Sequence, residues 1–135
     1  MECVFCNIVL GKIPSAKVFE DEQALAFLSI RPIQPGHTIV ILKEHFPTLL
    51  ELPTEKLNDL IQRVQKTAAG VKKAMKADGF IVSMNNGRAA GQEIDHAHFH
   101  ILPRFRNDSL VPWKEGGYKQ GELEQYALQI KKECE

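Results

Sequence analysis

The segment 96–104, HAHFHILPR, carries histidines at three alternate positions, with apolar residues between and after them. Because successive side chains of a β-strand point to opposite faces, this spacing predicts a strand with imidazoles on one face and core residues on the other. Imidazole titrates near pH ~6.5 and can serve as nucleophile, base or metal ligand. A metal-chelating tract or a chance cluster would also give the pattern, but three histidines in register favour a reactive centre.

Composition limits what kind of protein can carry this strand. The 135 residues suit one domain, and a hydrophobic content of 44% with 25% charged residues is ordinary for a soluble globular protein. The formal net charge is zero, so nothing predicts a nucleic-acid or membrane partner. No apolar run approaches the ~20 residues of a membrane span, and the first residues do not resemble a signal peptide. We therefore expect a cytoplasmic protein.

Two cysteines near the N-terminus, Cys3 and Cys6, form a C-x-x-C pair. Two thiolates at this spacing can bind one tetrahedral zinc, which then needs two further ligands, and His45 and His96 are the candidates. A redox pair or inert thiols remain the alternative, although a thioredoxin-like motif should follow a strand and none is predicted here. The third cysteine, Cys134, lies in the charged C-terminal segment and is interpreted as an incidental thiol.

Hydrophobic spacing along the chain predicts a mixed α and β domain. Between residues 54 and 76 apolar residues recur at intervals of three and four residues, which indicates one long amphipathic helix. A second helical pattern covers 122–133, and 107–120 is irregular. Strands are predicted at 16–20, 24–28, 37–42, 80–84 and 96–104, with one helical turn at 7–11. We expect a sheet of about five strands covered by the long helix.

Two loops are candidates for substrate contact. Residues 29–36 contain two prolines and a glycine, and they lead to His37 at the start of a strand. A histidine there is a surface residue about as often as a site residue, but the nearby triad favours a site. Residues 85–92, NNGRAAGQ, lead into the histidine segment. Glycine-bearing loops let backbone N–H groups approach an anion, so this loop is either a phosphate cradle or a plain hairpin connection.

The segment HAHFHIL at 96–102 resembles the histidine-triad (HIT) motif, in which three histidines alternate with apolar residues. The C-x-x-C start, FLSIRP at 27–32, PGHT at 35–38 and the 85–92 loop follow in family order, so the resemblance covers about residues 1–106. It implies an α+β HIT fold over 1–135, with an antiparallel sheet, a covering helix and a tail at 107–135. It also implies a homodimer, since many members of the family are dimers.

The resemblance also implies a nucleotide hydrolase. His98 would attack the α-phosphorus of a purine nucleoside monophosphate derivative, and water would hydrolyse the nucleotidyl-histidine. No catalytic metal is required in this scheme. Its substrate would be a phosphoramidate or a dinucleoside polyphosphate. The remaining contacts to the nucleotide, with phosphate or ribose, would come from His37, His100, Gln92, Gly91, Asn85 and Ser29.

A structural zinc on Cys3, Cys6, His45 and His96 is also implied, since some family members bind zinc through equivalent residues. Family members usually carry aspartate, which binds the ribose hydroxyls, where this chain has Ser29. A serine makes a weaker contact than a carboxylate. This favours the alternative of a zinc-stabilised nucleotide sensor with little turnover. Ala97, where one branch has proline, argues against the hexose-1-phosphate uridylyltransferases.

Overall fold

The computed structural model describes residues 2–134 and contains one five-stranded antiparallel sheet. Strand order across the sheet is β1-β2-β3-β5-β4. The strands are Lys17–Glu20 (β1), Ala24–Leu28 (β2), Thr38–Leu42 (β3), Gly79–Ser83 (β4) and His98–Arg104 (β5), and the helices are Val4–Val9 (α1), Thr54–Ala74 (α2) and Glu122–Cys134 (α3). The predicted α+β fold, with its long and C-terminal helices, is confirmed.

The central strands are buried on both faces because a helix packs on each. On one face α2 supplies the apolar stripe Leu60, Val64, Ala68 and Val71, which packs against alternate residues of β2, β3 and β5. On the other face α1 packs against the intervening residues of β2 and β3. This two-sided burial explains why β2 and β3 are almost continuously apolar in sequence.

Strand β5 divides its side chains between these two faces. His98 and His100 pair with Ile41 and Ile39, which belong to the cluster under α1. Ile101 lies fully buried in the cluster under α2, and Phe99 packs against that cluster. The predicted alternation is therefore present, and it separates the reactive face of β5 from its structural face.

The first histidine of the motif lies outside the strand, contrary to the expectation of a strand over 96–104. β5 begins at His98, and residues 94–96 form a bend. The bend is held by hydrogen bonds that strand pairing would not make: His96 N–H donates to the Ile94 carbonyl, and Ala97 N–H donates to the Phe46 carbonyl. His96 nevertheless stays on the α1 side of the sheet, since its ring, like that of His98, packs against Phe5 of α1.

The N-terminal helix also differs from the prediction, since α1 begins at Val4 and not at residue 7. The Cys3 side chain is the reason, because its sulfur accepts a hydrogen bond from the Cys6 N–H at 3.4 Å and caps the first turn. Capping satisfies one of the backbone donors that a helix start leaves free. The C-x-x-C pair is thereby built into the start of α1.

Helix α2 ends in a Schellman motif with lysine where glycine is usual. Ala77 N–H donates to the Lys72 carbonyl at 2.9 Å, and Lys76 N–H donates to the Lys73 carbonyl at 3.2 Å. Lys76 has a positive φ of 54°, a conformation that a Cβ disfavours. The helix therefore stops by hydrogen bonding despite an unfavourable residue at its end.

The C-terminal helix α3 extends away from the sheet. Of its described residues none is buried, and its apolar side chains Leu123, Tyr126, Leu128 and Ile130 are all exposed. No helix within residues 2–134 is long and apolar enough to cross a membrane.

Candidate active site and metal centre

A cavity of about 540 Å³ opens on the α1 face of the sheet, beside the two histidines of β5. Side chains from α1, β2 and β3 give it apolar walls, and the predicted residues His37, His98, His100, Ser29, Asn85 and Gly91 all contribute to its lining. A cavity of this size with apolar walls and a few polar groups is typical of small-molecule sites.

Backbone hydrogen bonding fixes the tautomer of His98. Its Nδ1 lies 2.7 Å from the His96 carbonyl oxygen. Because a carbonyl oxygen can only accept, Nδ1 carries the proton and donates it. In the neutral ring Nε2 is then unprotonated, with its lone pair available. His98 is 6% exposed, so this lone pair is held in a largely desolvated position.

A second hydrogen-bonded chain fixes His37 and His100. Ile33 N–H donates to Nδ1 of His37 at 3.2 Å, so the proton of neutral His37 is on Nε2. That Nε2 lies 2.9 Å from Nδ1 of His100 and donates to it. His100 therefore keeps its own proton on Nε2. These hydrogen bonds leave His100 as an imidazole N–H donor at the cavity, next to the unprotonated nitrogen of His98.

Burial keeps these rings neutral at pH 7. It lowers the pKa of His37 and of His98 below the usual 6.5. The pKa of His100 falls to about 4, because burial is reinforced by repulsion from His98 and His37. A neutral imidazole is the nucleophilic form, and the lowered pKa of His98 favours this form of its ring.

The loop before β5 is held by its own side chains. Gln92 is 2% exposed, its amide donates to the carbonyls of Pro47 and Ile94, and its oxygen accepts from Gly87 N–H. Among the described residues it lies outside the cavity lining, so its contact with a substrate stays a prediction. Gly91 has φ of +90°, and a Cβ there would lie 3.1 Å from the Asn85 amide nitrogen. A side chain at Gly91 would crowd Asn85.

The four predicted metal ligands lie together at the start of α1. One ligand atom from each of Cys3, Cys6, His45 and His96 can be chosen so that all lie within 4.8 Å of one another. Nδ1 of His96 is 3.4 Å from Cys3 Sγ and 3.6 Å from Cys6 Sγ, and Nδ1 of His45 is 3.4 Å from Cys6 Sγ.

These separations fit a zinc ion. Sulfur and nitrogen ligands of one tetrahedral zinc lie about 3.5 Å apart, given bonds of about 2.3 and 2.0 Å. Nε2 of His96 is 2.8 Å from the Leu42 carbonyl and donates to it, which leaves Nδ1 unprotonated toward the thiols. Such an outer hydrogen bond is the usual support of a metal-binding histidine.

Three of the cavity residues that the sequence did not single out bear on the charge of the site or on His98. Arg31 and Glu93 bring charge to the lining, and Phe5 packs the edge of its ring against His98. Arg31 lies inside the 29–36 loop, and Glu93 directly follows the 85–92 loop, so both are within or next to segments considered for substrate contact. Phe5 lies between the two cysteines, but no local pattern indicates that this residue would reach β5.

Comparison with known proteins gives one consistent family. The sequence model of the HIT domain matches residues 11–107. An uncharacterized HIT-like protein of Methanocaldococcus jannaschii is 44% identical, with 96% of this chain and 98% of that protein aligned. An adenylylsulfatase of Arabidopsis thaliana is 36% identical over 98% of this chain and 64% of its own length. An adenosine 5'-monophosphoramidase of Saccharomyces cerevisiae is 42% identical, over 82% of this chain and 76% of its own length.

Solved structures agree with the sequence relatives. A Streptococcus mutans protein superposes with a TM-score of 0.92 at 44% identity, covering 99% of this chain and 86% of that one. A zinc-bound histidine triad family protein of Mycobacterium smegmatis superposes with a TM-score of 0.78 at 36% identity, covering 100% and 99%. With its fold, its alternating histidines and these relatives, the chain belongs to the HIT domain family.

Proposed function

We propose that this protein hydrolyses nucleoside 5'-phosphoryl compounds at the α-phosphate, with His98 as nucleophile. The observation that carries the proposal is the Nδ1–H···O=C bond from His98 to the His96 carbonyl, which leaves Nε2 of His98 unprotonated beside the cavity. The plant and yeast relatives are named for adenylylsulfatase and adenosine 5'-monophosphoramidase activity. Both activities break a bond at the phosphorus of an adenosine 5'-phosphoryl compound, which supports the proposal.

The proposed reaction has two displacements at phosphorus. Nε2 of His98 forms a bond to the α-phosphorus, and the bond from phosphorus to the leaving group breaks with its electron pair. The ring then carries a positive charge, which the His96 carbonyl stabilises through Nδ1–H. Water attacks the same phosphorus and releases a proton to solvent, the P–N bond breaks with its electron pair, and His98 regains its lone pair.

The other cavity residues are assigned to binding. His100 is proposed to donate its Nε2–H to a non-bridging phosphate oxygen, where a donor placed in advance stabilises developing charge. His37, whose two nitrogens bond Ile33 and His100, is proposed to act mainly by orienting His100. The apolar walls, including Phe5 and Phe27, suit a purine base.

A substrate panel tests this function and identifies the leaving group. Wild-type protein and the His98→Gln variant are incubated with adenosine phosphoramidate, adenylylsulfate, a lysyl-adenylate and a dinucleoside tetraphosphate, and AMP release is measured. Wild-type turnover of at least one compound is expected, and His98→Gln should lose it by orders of magnitude while still binding AMP. Equal turnover by both proteins would rule out His98 as the nucleophile.

We further propose that Cys3, Cys6, His45 and His96 bind one structural zinc, which the ligand geometry and the zinc-bound relative support. Such a site requires reduced thiols, which fits the cytoplasmic location expected from the sequence. Metal analysis of purified protein should give about one zinc per chain. Protein without bound metal and with no affinity for added zinc would contradict this proposal, but it would leave the role of His98 intact.

We also propose that the protein is a homodimer joined through the free edge of β4. Phe80 and Val82 on this edge strand are 43% and 39% exposed. Light scattering should give about twice the chain mass of 15.2 kDa. Val82→Asp should give monomers, whereas Val18→Asp, on the opposite edge strand β1 and 49% exposed, should not. Dimers in both variants would exclude this edge.

A further inference from the structure

Helix α1 belongs to the metal centre and to the nucleotide cavity at the same time. Cys3 at its N-cap and Cys6 in its first turn face His45 and His96. Its other residues Val4, Phe5 and Ile8 line the cavity. With only six residues α1 is far shorter than a helix that is stable alone in water. Its position therefore depends on what binds it at either side.

Phe5 makes the most direct connection between the two sites. Its ring lies edge-on to His98, with centroids 5.0 Å apart and an interplanar angle of 89°. The same ring lies 5.9 Å from the His96 ring and 5.4 Å from the Phe27 ring. Phe5 is 6% exposed, so it is held between these groups. A movement of α1 must therefore move the surface against which His98 rests.

A second connection runs through the backbone. His96 faces the thiols through Nδ1, while its carbonyl accepts the Nδ1 proton of His98 at 2.7 Å. Any change that reorients the residue 96 peptide alters the group that fixes the tautomer of His98. Both connections begin at metal ligands and end at the same imidazole.

We propose that zinc binding and nucleotide binding are coupled through α1, with Phe5 as a positioning residue for His98. This inference rests on the proposed nucleotide and zinc sites and adds a relation between them. Zinc fixes α1 and so pre-forms one cavity wall, while a nucleotide against that wall holds the cysteines in place. Coupling of this kind is reciprocal, so each ligand strengthens the binding of the other by the same factor.

Binding measurements test the coupling without any turnover. Zinc affinity is measured by competition with a chromophoric chelator, with and without saturating AMP. AMP affinity is measured by calorimetry on zinc-loaded and metal-free protein. Both measurements should give the same strengthening, of at least about fivefold. A factor of one in the wild-type protein would overturn the proposal.

Two leucine variants separate positioning by Phe5 from general packing. Phe5→Leu keeps an apolar side chain but removes the ring edge at His98, so the coupling factor should fall toward one. Phe99→Leu is the matched control, because Phe99 neighbours His98 on β5 but packs on the opposite face. Coupling through global unfolding of metal-free protein would be the same in both variants. Equal coupling in the two would therefore overturn the role of Phe5.

An NMR measurement keeps the inference testable if the nucleotide proposal fails. Adding zinc to metal-free protein should shift the ring nitrogen signals of His98 in the wild type and shift them less in Phe5→Leu. Failure of AMP to bind zinc-loaded protein would contradict the proposed function and the nucleotide part of the coupling, while a zinc-dependent shift of the His98 signals would still support the positioning of His98 by Phe5. Unchanged His98 signals on zinc addition would contradict the coupling alone.

Discussion

Replacing Gly36 tests how the loop that presents His37 is held. Gly36 has φ of +94°, and a Cβ added there would lie 2.9 Å from Met75 Cγ and 3.0 Å from Pro103 Cγ. Left-handed backbone costs an L-residue about 1–2 kcal/mol, and overpacking costs about 1–3 kcal/mol more. Gly36→Ala should therefore lower the free energy of unfolding by roughly 2–5 kcal/mol.

A matched glycine separates the two contributions. Gly11 has φ of +77°, but a Cβ there meets nothing within 4 Å. Gly11→Ala should therefore lose only the backbone contribution of about 1–2 kcal/mol. Gly70 lies inside α2, has no positive φ, and has nothing within 4 Å of an added Cβ. Gly70→Ala should therefore raise the free energy of unfolding by about 0.5–1 kcal/mol.

Equilibrium urea unfolding of the three variants gives these free energies, provided that the slope with denaturant is unchanged. Since Gly36 directly precedes His37, Gly36→Ala should also weaken AMP binding, whereas Gly70→Ala should not. Truncating Met75 to alanine in the Gly36→Ala background should restore part of the loss, since one of the two crowded contacts disappears. If Gly36→Ala costs no more than Gly11→Ala, the inferred crowding against Met75 and Pro103 is wrong.

Three further perturbations have defined expectations. The unfolding free energy is measured with free zinc at a thousand times the Kd and again after a chelator has removed the zinc. The second value should be lower by about 4 kcal/mol. Cys134→Ser, which changes an exposed thiol outside the cluster, should show the same difference. The pKa of His100 is lowered from 6.5 to about 4. Between these pH values His100 is therefore protonated in the unfolded chain but neutral in the folded protein. The contribution of His100 to the unfolding free energy is therefore complete above pH 6.5 and is lost as pH falls toward 4, by roughly 3 kcal/mol at most. Urea unfolding at a series of pH values should show a smaller loss of stability in His100→Gln than in the wild type. Equal losses in the two proteins would show that His100 is not the cause. Lys76→Gly should stabilise the end of α2 by about 0.5–1 kcal/mol in thermal unfolding, because glycine accepts the φ of 54° without strain; a lower melting temperature would show that Lys76 makes a compensating interaction.

Local sequence patterns predicted the parts of the fold that depend on local periodicity. The strand predicted at 24–28 has those limits in the structure, and the helix predicted from residue 54 begins there. In both segments one spacing of apolar residues continues without interruption, so side-chain burial and backbone preference agree. The cysteine spacing and the family resemblance both indicate the cluster of Cys3, Cys6, His45 and His96, and the structure brings these residues together.

The differences arise where tertiary hydrogen bonds override a local pattern. The alternation at 96–104 predicts a continuous strand, but the bond from Ala97 N–H to the Phe46 carbonyl takes the chain out of the sheet before His98. The contact of Gln92 with a substrate stays a prediction, but the hydrogen bond from its amide to the Pro47 carbonyl could not be expected from the local sequence. The bonds to the Phe46 and Pro47 carbonyls have no signal in neighbouring residues, because residues 46 and 47 are distant in sequence from residues 92 and 97.

The two faces of β5 limit how the length of this strand can change. His98 and His100 point toward α1, and Phe99 and Ile101 point toward α2. Inserting or deleting one residue between His98 and His100 would exchange the faces downstream, which would place the His100 imidazole among the apolar residues under α2. A change of one residue in the length of this strand would therefore damage the core and the chemistry in a single step.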